Sequence, residues 1–183
     1  MRVLVWVTDD GWAACVDAAL TIGPDDAELT LLHVQPPDVA ELAHGAFSGL
    51  LGRGRADPDP GDRLESIATE SQATLLGAAA DRAGRPVTVD RRTGRVEREV
   101  VTAAAGFDLL VVARDGDRSR LGPKSLGPPT RFVVDHAPCP VLLIWPEPAP
   151  AIDSIPPPKH GPKHDPGPGP KHEPGHRPKH PPR

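Results

Sequence analysis

Continuous apolar runs alternate with helically spaced apolar positions along the first 145 residues. Val3 to Val7 is an unbroken run ending at Thr8-Asp9-Asp10-Gly11, as in a strand covered on both faces that delivers a polar loop to its carboxyl end. Trp12 to Ile22 places Cys15 or Val16, Ala19 and Leu20 on one helical face, with Gly23-Pro24 as the stop. Leu29 to Val34 is a second strand, closed by Gln35-Pro36-Pro37. Asp62 to Gly84 predicts a helix: Asp62 and Glu65 have capping-box spacing, and Leu64, Ile67, Ala68, Leu75 and Ala79 keep a helical period. Pro86 to Arg92 sets Val87 and Val89 between polar residues and predicts an edge strand. Gly94 to Ala105 predicts a helix with Val96, Val100 and Ala104 inward and Gly106 as its carboxyl cap. Leu109 to Ala113 and Val141 to Trp145 are further strands, separated by a glycine-bearing loop and a helix from about Pro129 to His136.

Strands this buried and this far apart cannot pair as hairpins, so the order predicts an α/β fold with a doubly wound parallel sheet. Asp38 to Pro60 fits the pattern least. Val39, Leu42, Ala46, Leu50 and Leu51 suggest a short helix that His44-Gly45 and Gly52-Arg53-Gly54-Arg55 interrupt, so the segment is either a lid over the carboxyl end of strand 2 or a dimer contact.

Composition divides the chain. Proline supplies 25 of 183 residues and crowds after Trp145, and from Ala151 onward Ile152 and Ile155 are the only large apolar residues. Such a segment buries too little surface to offset its ordering entropy. Residues 1–147 are therefore read as one domain and 148–183 as a disordered Pro/His/Lys-rich tail. Charge divides at the same place: from Ala151 onward six basic residues face three acidic ones, and the remaining 15 face 22, leaving the tail near +3 and the domain near −7. An acidic domain argues against nucleic-acid binding, which needs a basic face. Met1-Arg2 precedes only five apolar residues, too few for a signal core, and no run reaches the length of a membrane span, so the expected location is cytoplasmic, with no membrane partner. Cys15 and Cys139 lie far apart without a CxxC pattern and read as small buried hydrophobes.

The stretch from Asp108 to Ile144, DLLVVARDGDRSRLGPKSLGPPTRFVVDHAPCPVLLI, has the order strand, phosphate-type loop, helix, strand. This order and the wording DLLVVA…FVVDHAPCPVLLI resemble the carboxyl half of the universal stress protein family. The resemblance implies a five-stranded parallel sheet of order 3-2-1-4-5 in a flavodoxin-like three-layer sandwich, ATP as the possible ligand, and a homodimer through the last strand. It also implies a ligand cleft between the carboxyl ends of strands 1 and 4, where the strand order reverses. In ATP-binding members an acid follows strand 1, and strand 4 is followed by Gly, two residues, Gly, nine residues, then Gly and Ser or Thr. Carried onto this chain, the candidate nucleotide-binding residues are Thr8, Asp9, Val34, Ala113, Arg114, Gly116, Gly127 and Thr130.

The chain departs from that pattern in three places. Ala113 stands for the first glycine, ten residues separate Gly116 from Gly127, and Pro128 follows Gly127. Pro128 brings neither hydroxyl nor N–H, and Pro129 removes a second donor, so the helix that follows offers few groups to a phosphate. Arg114, Arg118, Arg120 and Lys124 are the candidates for compensation; otherwise they form a solvated loop opposing Asp115 and Asp117. Retained ATP, another anion or nucleotide, and no ligand all remain open for this loop. Asp9, with Asp10, has an equally ordinary role as a cap for the first helix.

No residue set supports turnover. His33, His44 and His136 are scattered, and no Walker loop, no G-x-G-x-x-G after strand 1 and no HExxH is present. The serine-and-glycine pyrophosphate loop of the related adenine-nucleotide alpha-hydrolases is missing too. Four tail histidines, His160, His164, His172 and His180, end Pro-Lys-His triplets, with His176 between. Lysine beside each of the four and the stiffness of proline-rich chain favour a spacer over a metal site. The sequence therefore reads as a non-catalytic regulatory or protective stress protein with a degenerate ATP loop. The alternative is a nucleotide-independent homodimeric interaction module whose tail binds a partner or metal.

Overall fold

The computed structural model describes residues 1–37 and 60–157. The expected lid at 38–60, apart from Pro60 at the start of a helix, the side chains of the capping pair Asp62 and Glu65, and the histidine repeats lie outside the described residues. The elements run β1 (Arg2–Trp6), α1 (Trp12–Ile22), β2 (Glu28–Gln35), α2 (Pro60–Ala83), β3 (Thr88–Thr93), α3 (Val96–Ala104), β4 (Leu109–Ala113), α4 (Pro128–His136) and β5 (Val141–Ile144), with short 3-10 turns at Pro123–Ser125 and Ile152–Ser154.

The five strands form one parallel sheet of order β3-β2-β1-β4-β5. Val5 lies beside Leu31 on one flank and Val111 on the other, and Val111 in turn lies beside Leu142. The pleat sends alternate residues to opposite faces, which explains why the central runs are apolar throughout. Val3, Val5, Val7, Leu29, Leu31, Leu109 and Val111 meet Cys15, Val16 and Ala19 of α1 and Leu76 and Ala79 of α2. On the other face Leu4, Trp6, Leu32, Val34, Leu110 and Val112 meet Val100, Ala103 and Ala104 of α3 and Val133 of α4. These two cores make the three-layer sandwich.

Several local expectations shift. The inward face of α2 is carried by Leu76, Ala79 and Ala83, whereas Ile67 is 54% exposed. β3 starts at Thr88 rather than Pro86, since Pro86 has no N–H for the ladder, and Val89 is 39% exposed on this flanking strand. The cap of α1 is Gly11, with no side-chain capping bond, so neither Asp9 nor Asp10 caps this helix. Gly11 takes φ 93°, a conformation that strains any other residue, and a Cβ there would lie 2.8 Å from the Ala113 Cβ and 3.0 Å from the Pro146 Cβ.

Candidate nucleotide cleft at the sheet switch point

The strand order reverses between β1 and β4, and the two loops leaving their carboxyl ends bring the candidate residues to one end of the sheet. Thr8 donates its hydroxyl to the Asp10 carbonyl (2.7 Å), which folds the loop after β1 on itself. Asp9 is exposed and lines an open groove of about 500 Å³ with Ile67, Glu70, Ser71, Thr74 and Leu75 of α2. Val34 is buried with Leu32 and Trp6 on the opposite face of the sheet, against α3. His33 donates from Nδ1 to the Val7 carbonyl (2.9 Å), tying the end of β2 to β1.

The loop after β4 is closed by its own groups. The Arg114 N–H reaches the Ile144 carbonyl (3.0 Å), the Gly116 N–H reaches Ser125 (3.0 Å), and the Asp117 N–H reaches Lys124 (2.8 Å). Gly116 is required by this closure: a Cβ would run into the Lys124 carbonyl and lie 2.8 and 2.9 Å from the carbonyl carbons of Ser125 and Leu126. The Asp115 carboxylate accepts the Gly127 N–H at 2.7 Å, at the start of α4. Pro128 and Pro129 occupy the first helical positions, and Thr130 is buried, 1% exposed, within the first turn.

The basic residues of the loop are mostly engaged. The Arg114 guanidinium stacks over the Trp145 ring at 4.6 Å and donates from Nη1 to the buried Ser125 hydroxyl, while its buried Nε has no partner. Arg118 faces Glu147 (3.7 Å) and Arg120 faces Asp117 (3.5 Å). Two hydrogen bonds from Ser119 hold the Asp117 carboxyl below its usual range, with Arg120 and Lys124 adding to the effect. Arg131 donates to the Pro123 carbonyl (2.6 Å) and locks the 3-10 turn onto α4.

The chain beyond β5 completes the closure. Pro146 approaches Gly11 and Ala113 at the switch point, and the Leu121 N–H donates to the Ser154 hydroxyl (3.0 Å) of the second 3-10 turn. Residues 148–157, expected to belong to the tail, thus contain a turn that pins the loop. Pattern reading did not single out Trp145, Pro146, Ser125 or Ser154; an aromatic-proline pair directly after the last strand was the available signal. No group of three His, Cys, Asp or Glu able to hold a metal exists among the described residues, and none of their helices is long and apolar enough to cross a membrane.

The family model of the universal stress proteins matches residues 1–144. The chain belongs to the universal stress protein family. Its fold is similar to that of universal stress protein UspA from Lactobacillus plantarum, at 22% identity, covering 79% of this chain and 97% of that one with a TM-score of 0.54. It is similar also to a universal stress protein in complex with cAMP, at 19% identity, 80% and 98% coverage and a TM-score of 0.52. A third similar fold is the hypothetical protein MJ0577, at 17% identity, 79% and 94% coverage and a TM-score of 0.59. No curated protein matches the chain. The family match stops at 144, so Trp145, Pro146 and the turn at Ile152–Ser154 lie outside the matched residues.

Proposed function

We propose that this universal stress protein is a non-catalytic regulatory or protective protein of the stress response whose loop after β4 does not receive the phosphates of ATP. The carrying observation is the start of α4, where Pro128 and Pro129 present no N–H. The Gly116 and Asp117 N–H groups are spent on loop carbonyls, which supports the same reading. Hydrogen bonds to charged groups contribute about 1.5–3 kcal/mol each, so two missing donors weaken phosphate binding by about a hundredfold to ten-thousandfold. A similar fold holds cAMP, which supports adenine nucleotides as the ligand class that this cleft has given up or narrowed. Calorimetric titration with Mg-ATP tests the reading: heats too weak to fit below about millimolar concentration are expected, and micromolar binding overturns it.

A second reading, a homodimeric interaction module, is favoured by one observation. β5 lies at the sheet edge among the described strands, and all four of its residues, Val141–Ile144, are half-buried rather than exposed or covered. The two readings are compatible, since the edge and the cleft lie on different parts of the sheet.

A further inference from the structure

We propose that Asp115 is the residue that sets the charge selectivity of the cleft: its carboxylate is a resident anion that stands where a ligand phosphate would stand. The inference rests on the reading above, that the loop takes no ATP phosphate, and names the group responsible.

Three features of the loop carry it. The Asp115 Oδ1 accepts the Gly127 N–H at 2.7 Å, a charge-assisted bond at the positive end of α4. The carboxylate is pressed onto that glycine so closely that a Cβ on Gly127 would lie 2.8–2.9 Å from Oδ1, Oδ2 and Cγ. Three of the loop's four cations are held elsewhere, Arg118 on Glu147, Arg120 on Asp117 and Arg114 over the Trp145 ring. Asp9 and Glu70 line the open groove along α2, so the field within that groove also repels anions. Prolines remove donors, but a carboxylate does more: it fills the remaining position and adds like charge.

The two effects are separable by substitution. Pro128→Ser restores a donor and a hydroxyl while the carboxylate stays in place, so its gain is expected to be small. Asp115→Ala frees the Gly127 N–H and removes the charge, and Asp115→Asn removes the charge but keeps an acceptor of the same shape.

The test is a titration of the full chain with inorganic pyrophosphate, followed by the Gly127 amide in nitrogen–proton NMR, for wild type, Asp115→Ala, Asp115→Asn and Pro128→Ser. Asp115→Ala is expected to bind about tenfold to a hundredfold tighter than wild type, Asp115→Asn to fall between them, and the Gly127 amide to move on addition of pyrophosphate in these two variants. A folded Asp115→Ala with wild-type affinity overturns the assignment, as does a Pro128→Ser gain that equals or exceeds that of Asp115→Ala. Should Asp115→Ala fail to fold, an unchanged affinity in Asp115→Asn overturns it equally. Wild-type Mg-ATP binding judges the functional reading separately: weak wild-type binding with no gain at Asp115 sinks this inference and leaves that reading intact.

Discussion

Cys15 sits on the buried face of α1 with no exposed surface, and burial pushes its thiol up to about 12 from the ordinary 9.0. A group whose folded value is raised supports the fold fully below the unfolded value and loses that support as pH climbs toward the folded one, because the unfolded chain gives up its proton first. Between pH 9.0 and about 12, wild type is expected to lose about 1.4 kcal/mol per pH unit more than Cys15→Ala, read from urea midpoints. Parallel slopes would mean that the thiol already ionises in the folded chain. Gly11 makes a second residue-level case. Ala at φ 93°, driven against Ala113 and Pro146, is expected to cost about 1–3 kcal/mol by the same measurement. Sequence reading anticipated the burial of Cys15, because its helical spacing with Ala19 is visible in the chain. It offered Asp9 or Asp10 as the cap of α1, since Asp at a strand-to-helix junction usually caps by its side chain. Only backbone geometry reveals that Gly11 enters the helix from the left-handed region.

At the scale of elements, the loop between β4 and α4 depends on few buried polar contacts, and Ser125 is central among them. Its hydroxyl, with no exposed surface, donates to the Gly122 carbonyl (2.7 Å) and accepts from Arg114. Arg114 already carries one buried N–H without a partner, so Ser125→Ala leaves a second. A loss of about 1–3 kcal/mol is expected, with faster hydrogen exchange at Gly116 and Asp117, whose N–H groups close the loop onto Ser125 and Lys124. Unchanged exchange there would show that the loop is held by the segment after β5 instead. The strand and helix bordering this loop were legible because each leaves a local record in consecutive residues, an unbroken apolar run for β4 and helical spacing for α4. The loop's closure was not. Asp115 on Gly127, Arg114 on Trp145 and Leu121 on Ser154 join positions 12 to 33 residues apart, and no local pattern records such pairings.

For the molecule as a whole, the order β3-β2-β1-β4-β5 leaves two flanking strands of unlike character. β3 reads TVDRRT, and its charged side chains, Asp90 and Arg92 paired at 3.0 Å, protect its outer edge from another strand. β5 reads VLLI and has no charge at all. The Leu110 and Arg114 N–H groups reach the carbonyls of Pro140 and Ile144, so in the parallel ladder Val141 and Leu143 turn their backbone groups outward. Among the described residues nothing pairs with these N–H and C=O groups, and with their half-buried apolar flanks they are what a second copy of the same strand would satisfy. The full chain is therefore expected to sediment as a dimer. Leu143→Pro deletes one outward N–H while sparing the bonds to β4, and proline is tolerated at such an edge position, so a folded monomer is the expected product. Leu143 also packs against the core beside Val112, and some stability is lost with its side chain. Circular dichroism separates that loss from dissociation: a variant that keeps its helical signal and still sediments as a dimer rules out β5 as the contact and moves the interface to another face.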